Sequence, residues 1–372
     1  MQKIYLDNAA TTKPNSDILR QVCESTLTDG FYNPSALYSS GRKIRKQIDE
    51  ARAQALTLFP TGYDLIFTSC GTEADNLAVF SFAKRGNVVT CMAEHSAINN
   101  SFSQLKQRGL DVRFAPVEKN GAVNVEKLLT LIDDKTTFVS IVHVNNETGA
   151  INDVNKIATL VKQRNPSTIF HTDGVQAFLK IPFKMSNNVD LYSISAHKIC
   201  ALKGVGALIY KKNLHLNAQI FGGGQEKNFR SGTENVFGIE VFKHAIQKYS
   251  NVQQNFENAN ALKQIFCENI SREVVFVSSE DASPYVISIS IPGIKAEILQ
   301  RVLDDNGVLV GTGSACSAKI GTSRIINACG LEKRLAEGVI RISFGFTTTE
   351  NEVLTATKII NDCIAQLRKN LK

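Results

Sequence analysis

Between about residues 60 and 210, short apolar runs alternate with longer amphipathic stretches. The runs 65–68, 88–91, 112–115 and 138–142 are too short for helices and end at polar or Gly-containing turns, so they read as strands. Between them, 72–84, 97–108, 125–131 and 154–162 carry apolar residues at helical spacing. Further strands are predicted at 168–171, 191–195 and 206–210, and amphipathic helices at 16–27 and 41–58, the second opening on a basic face (Arg42, Lys43, Arg45, Lys46). Alternation of this kind predicts an α/β fold with a mostly parallel sheet covered on both faces. Ligands of such sheets collect at the carboxyl ends of the strands.

From about residue 251 the texture changes. A polar helical pattern (251–270) gives way to strands at 274–278 and 286–291, a helix at 296–306, a Gly/Ser-rich loop, a strand at 339–344 and a last helix at 350–369. The pattern predicts a large domain of residues 16–250 and a smaller α+β domain of residues 1–15 with 251–372.

Length and composition agree with this division and exclude several classes. The 372 residues, 43% hydrophobic and 21% charged, suffice for two domains with sizeable cores. The formal charge of +7 is spread along the chain without a block of like charges, so direct nucleic-acid binding is not indicated. No apolar run is long enough to span a membrane and residues 1–7 lack a signal-peptide core, so a cytoplasmic protein is expected. The eight cysteines have no C-x-x-C pair and are expected as free thiols.

Polar residues gather at the predicted strand ends. Ser69-Cys70-Gly71-Thr72-Glu73 runs from a strand through Gly into a helix, which suits a phosphate at a helix N-terminus, although Ser or Thr before an apolar helix is more often just an N-cap. Glu94-His95, His143-Val144-Asn145-Asn146-Glu147 and His171-Thr172-Asp173-Gly174-Val175-Gln176 follow at the next strand ends. An Asp there can pair with a protonated ring nitrogen, and Asn146 and Gln176 can bond a phenolic oxygen, although Asx-turns use the same residues. Ser195-Ala196-His197-Lys198 adds a hydroxyl, an imidazole and an amine able to attack carbonyls. Together these are the parts of a pyridoxal phosphate pocket. The histidines lack short ligand spacings, so no metal site is expected.

In its ordered motifs the chain resembles the NifS/IscS-type cysteine desulfurases, class-V aminotransferases of the pyridoxal phosphate fold type I. The resemblance rests on Tyr5-Leu6-Asp7-Asn8-Ala9-Ala10, Asn33-Pro34-Ser35, Gly71-Thr72-Glu73, Glu94-His95, Asn145-Asn146-Glu147-Thr148-Gly149, Asp173 with Gln176, and His197-Lys198. It continues through Gly222-Gly223-Gly224-Gln225-Glu226, Arg230-Ser231-Gly232-Thr233, Gly313-Ser314-Ala315-Cys316 and Arg341. It implies a seven-stranded, mostly parallel sheet in the large domain, with pyridoxal 5′-phosphate held as a Schiff base on Lys198. Asp173 would keep the ring nitrogen protonated, His95 would stack on the ring, and Gln176 and Asn146 would attend its phenolic oxygen. Gly71, Thr72, Ser195 and His197 would bind the phosphate, completed by Thr233 from the second subunit of a homodimer. Arg341, with Asn146 and Asn8, would bind the substrate carboxylate.

Cys316, in a run of small residues that cannot pack a core and is expected to be mobile, would take the sulfur of L-cysteine as a persulfide and leave alanine. A sulfur-acceptor protein would receive it, for iron–sulfur cluster assembly, tRNA or cofactor thiolation, or DNA phosphorothioation. The chain departs from the family pattern at Tyr38, where His is usual, at Cys70, where Gly is usual, and at Lys319-Ile320-Gly321, where a Leu-Glu-Pro stretch is common. Its end at Lys372 lacks the tail that docks a standard scaffold, which favours a specialised acceptor. Two other readings on the same fold are a selenocysteine or C–S lyase and a partner-dependent sulfur-relay component.

Overall fold

The computed structural model describes residues 3–313 and 322–370. Its largest sheet has seven strands in the order Tyr63–Thr68, Gly206–Lys211, Leu191–Ser195, Ile169–Asp173, Thr136–Ser140, Asn87–Cys91, Asp111–Ala115. All neighbours from Leu191–Ser195 to Asp111–Ala115 are parallel, and Gly206–Lys211 runs antiparallel to both of its neighbours. Every strand but that one therefore ends at the same edge, which is where the sequence puts its polar residues.

The strands are apolar throughout because both faces are covered. Successive side chains serve opposite layers. Val88 packs in the layer of helices Gly71–Phe82 and Ser96–Gln107, with Leu77 and Phe102. Val89 belongs to the layer of helices Ser39–Leu56, Val154–Arg164 and Val236–Lys248, with Ile48, Ile157 and Phe242. At the functional edge Gly206 is paired to both Thr68 and Ser195. A Cβ there would lie 2.4 Å from the Cys70 carbonyl carbon, so Gly lets the strand pass under the Cys70 turn.

Three differences from the sequence reading have physical causes. The strand expected at 168–171 continues to Asp173, because its pairing with Leu191–Ser195 runs from His171 through Asp173. Helix Val236–Lys248, capped by the Asn235 side chain, is absent from the sequence reading. Its buried residues Ile239, Val241, Phe242, Ala245 and Ile246 lie along one face, but Val236 and Phe237 add apolar side chains off that face and blur the amphipathic stripe. The strand expected at 274–278 shortens to Val275–Phe276 at the edge of a second, three-stranded antiparallel sheet with Val286–Ser290 and Val339–Ser343.

That second sheet has its own core, in which Ile287, Ile289, Ile340 and Ile342 meet Phe266, Leu299 and Ile360 from helices Val252–Asn269, Ala296–Asp305 and Glu350–Asn370. The N-terminal arm joins it: Ile4–Tyr5 pairs in parallel with Val308–Leu309, and Leu6 is buried in the same core. The arm then crosses to the large sheet, where Thr12 N–H donates to His197 O.

A buried ion pair straps the segment after residue 225 onto the large sheet. Arg52 meets both carboxylate oxygens of Glu226 at 2.9 Å, Glu226 Oε2 also accepts the Phe67 N–H at 2.8 Å, and Arg52 lies over the Phe67 ring. Glu226, Lys227 and Asn228 all hold positive φ to make the turn. Removing one partner strands the other in a dry site, so Glu226→Ala is expected to lose roughly 3–5 kcal/mol in urea unfolding. The double variant Arg52→Met, Glu226→Leu should lose less. A double variant as unstable as the single one would show that the pair is not the source of the loss.

Candidate active site

A cavity of about 370 Å³ opens at the carboxyl edge of the large sheet. Its walls come from the ends of three adjacent strands, the start of helix Gly71–Phe82, the N-terminal arm and Arg341 of the second sheet. Of the residues singled out in the sequence, Gly71, Thr72, His95, Asn146, Asp173, Gln176, Ser195, His197, Lys198 and Arg341 all line it.

Lys198 closes the turn Ala196–Lys198 that follows strand Leu191–Ser195. Its Nζ donates to the carbonyls of Ala9 at 2.6 Å and Ala10 at 2.8 Å, both from the arm. Burial, and after it the positive charges of Lys180 and Arg341, pull its amine down to about 7. The ordinary value is ~10.4, so a reactive, unprotonated amine is available at neutral pH.

Asp173 faces the same space, 4% exposed, with Oδ1 accepting the Val175 N–H at 2.9 Å. Burial pushes its carboxyl up, while His95 and Lys198 pull it down. His95 caps helix Ser96–Gln107: its Nδ1 accepts the Ala97 N–H at 3.2 Å, so the neutral ring carries its proton on Nε2. Burial holds it below the usual histidine range. Gln176 donates from Nε2 to Ala9 O at 2.8 Å and accepts from Lys180 at 3.0 Å.

At the other end, Ser195 Oγ is buried with no partner among the described residues. The first N–H groups of helix Gly71–Phe82 have no earlier helical carbonyl to bind. His197 Nδ1 lies 3.1 Å from Thr11 Oγ1, and burial pulls its ring down to about 3, so it is neutral. This end could hold an anion such as phosphate.

Arg341, 4% exposed, donates to Asp7 Oδ1 at 2.7 Å and Asn146 O at 2.8 Å, while its Nε is buried without a partner among the described residues. Asn146 Oδ1 likewise has none. Asn8 is not brought to the cavity: its amide binds the carbonyls of Tyr5 and Ser343, and Asp7 lines the cavity instead. Thr233 lies at a separate, smaller cavity with Ser69, Arg230 and Glu234. Cys316 lies outside the described residues. On its N-terminal side Gly313 lines the cavity. On the other side Ser323 donates to Glu147, and Arg324 to the carbonyls of Met92 and Glu94, beside His95.

Sequence reasoning missed Asp7, Asp75 and Lys180. Asp75 is 1% exposed, lines the cavity, and brings a ligand atom within 4.8 Å of those of His95 and Asp173, a spacing a metal ion could also use. It sits one helical turn after Gly71, so the i, i+4 rule could have found it. Burial and the Asp173 charge push its carboxyl well up.

The class-V aminotransferase family model matches residues 4–355. The cysteine desulfurase IscS of Clostridium botulinum (strain Hall) is 35% identical over 383 residues, covering 99% of this chain and 96% of its own. A solved NifS-like protein superposes with a TM-score of 0.91 at 30% identity, covering 98% of this chain and all of its own. The solved structure of SspA in complex with cysteine gives a TM-score of 0.80 at 27% identity, covering 94% of this chain and all of its own. The chain therefore belongs to the class-V aminotransferases and, among them, to the NifS/IscS cysteine desulfurase family.

Proposed function

We propose that this chain is an L-cysteine desulfurase that works with pyridoxal phosphate. The observation that carries the reading is the Lys198 amine, held at about 7 at a strand end, in one cavity with a buried carboxylate and an unpartnered hydroxyl. Similarity to cysteine desulfurases over nearly the whole chain supports it, as does a related structure that holds cysteine.

The residues present fit the cofactor. Ser195 Oγ, buried and unpartnered, needs an acceptor. A Cβ at Gly71 would lie 2.8 Å from Val175 Cγ2, so Gly lets the start of the helix approach the turn after Asp173 at this end of the cavity. Thr72 and His197 complete that end, with Thr233 of the partner subunit in a homodimer. Asp173 suits a protonated ring nitrogen, Gln176 and Asn146 the phenolic oxygen, and His95 the ring face. When bound, pyridoxal phosphate supplies an aldehyde and an electron-accepting ring.

The chain's own groups do the rest. Lys198 Nζ anchors the cofactor, then accepts the substrate Cα proton. Asp173 would hold a proton on the ring nitrogen; burial pushes its carboxyl up, and His95 and Lys198 pull it down. His95 offers Nε2–H towards the cavity, because Nδ1 is committed to the Ala97 N–H. Arg341 orients the substrate carboxylate, with Nε free for it and Asp7 sharing the guanidinium. The Cys316 thiolate attacks the substrate sulfur: the C–S bond breaks, an S–S bond forms, and the carbon gains a proton. L-cysteine and the Cys316 thiol thus become L-alanine and the Cys316 persulfide, which an acceptor protein then takes.

Lys198→Ala is expected to abolish borohydride-fixed pyridoxal phosphate in intact-mass spectra; label still fixed to that variant at wild-type level would overturn the assignment. Because the amine reacts unprotonated, cofactor uptake by the apo-protein should climb with pH through about 7 and level off above about 8. A rate still climbing at about pH 9, as for an ordinary lysine near ~10.4, would contradict the buried amine. Cys316→Ser should retain bound cofactor and lose at least ~10²-fold in cysteine-dependent alanine formation. Unchanged turnover would replace the persulfide route by a simple lyase.

A further inference from the structure

Lys180 lies behind the cavity wall, 2% exposed, seven residues beyond Asp173. Among the described residues its Nζ has one hydrogen-bond acceptor, Gln176 Oε1 at 3.0 Å, with the Tyr285 ring centroid 5.8 Å away. Its charge is met by an amide and a ring face, not by a carboxylate. Burying an ammonium in this way is costly, and a chain that needed packing alone would be served by Met.

The hydrogen bonds say what the ammonium does. Gln176 sits between a donor-only group, Lys180, and an acceptor-only group, the Ala9 carbonyl 2.8 Å from Nε2. An amide between such neighbours has one orientation. Its second N–H is left for the cavity, which Gln176 lines. The same Ala9 carbonyl accepts from Lys198 at 2.6 Å, so one short chain of contacts joins Lys180, Gln176, Ala9 and Lys198.

We infer that Lys180 is a positioning residue of this site: its ammonium pins the Gln176 carbonyl, so that the amide offers a donor and no acceptor to the cavity, and it sets a fixed positive charge behind Lys198. The inference rests on the desulfurase reading in one respect, that the group meeting the Gln176 N–H is the phenolic oxygen of pyridoxal phosphate. The charged and titratable groups facing Lys198 are Lys180, Arg341, Asp173 and Asp7, with His95 and His197 alongside; those facing Lys180 are Lys198, Arg341, Cys200 and His197. Burial brings Lys180 itself down to about 8, so it is charged at neutral pH and its influence fades as pH rises through about 8.

The test uses cofactor-free full-length protein. Trace acetic anhydride labels free amines, and the Lys198 peptide is quantified by mass spectrometry across pH for wild type, Lys180→Met and Lys180→Arg. The Lys198 midpoint should rise by ~1 unit in Lys180→Met and return towards wild type in Lys180→Arg. An unmoved midpoint in folded Lys180→Met would overturn the inference. If that variant does not fold, Lys180→Gln, which keeps a donor towards Gln176 without the charge, decides the same question. In parallel, absorbance titration should find pyridoxal phosphate bound about tenfold more weakly by Lys180→Met, and unchanged affinity would remove the role of Gln176 orientation. Wild type that binds no pyridoxal phosphate at all would remove the desulfurase reading, while the labelling result would still judge Lys180.

Discussion

Taking one lysine amine out of water sets the terms for everything around it. Lys198 keeps two carbonyl acceptors, which favour its ammonium form, yet burial and two nearby cations outweigh them and bring it to about 7. Those acceptors, Ala9 and Ala10, belong to an arm whose first residues pair with Val308–Leu309. The amine is thus buried only when the arm is docked on both sheets. A reactive lysine of this kind is a property of the assembled fold, not of the strand end that carries it.

The charge balance of the cavity follows from the same burial. His143, His171 and His197 are all brought down to about 3, so none is a cation at neutral pH. Glu94 is pushed up to about 8 by burial, and burial with the Asp173 charge drives Asp75 the same way. Around the cavity Arg341, Lys180 and Lys198 stand against Asp7 and Asp173. Among the described residues Ser195 Oγ and the Arg341 Nε lack partners. A ligand carrying a phosphate at one end and a carboxylate at the other meets both needs.

Much of this was legible in the sequence, for identifiable reasons. Parallel strands buried on both faces show as short unbroken apolar runs, and the polar residues that interrupt them mark the carboxyl edge. Lys198, Asp173 and Ser195 were found that way. Helix Val236–Lys248 was not, because Val236 and Phe237 add apolar side chains off its buried face and blur the periodic stripe. Lys180 and Asp75 were missed because nothing local sets them apart from a surface lysine or aspartate; only the fold takes them from water. Asn8 and Asp7 differ by one position, and pairing decides between them. The Asp7–Ser343 bridge turns Asp7 towards Arg341 and leaves the Asn8 amide on the Ser343 carbonyl.

That bridge also bears on how a substrate is held. Arg341 leaves the second sheet with one nitrogen on Asp7, one on the Asn146 carbonyl and one unused. A bidentate grip on a carboxylate needs two adjacent nitrogens, so Asp7 has to share or yield its place. Asp7 is carried by the same arm whose Ala9 and Ala10 carbonyls hold Lys198. Binding a substrate carboxylate at Arg341 and freeing the Lys198 amine therefore act on one segment of chain. The arm, anchored by Leu6 in the core of the second sheet, is where substrate recognition and the reactive amine meet.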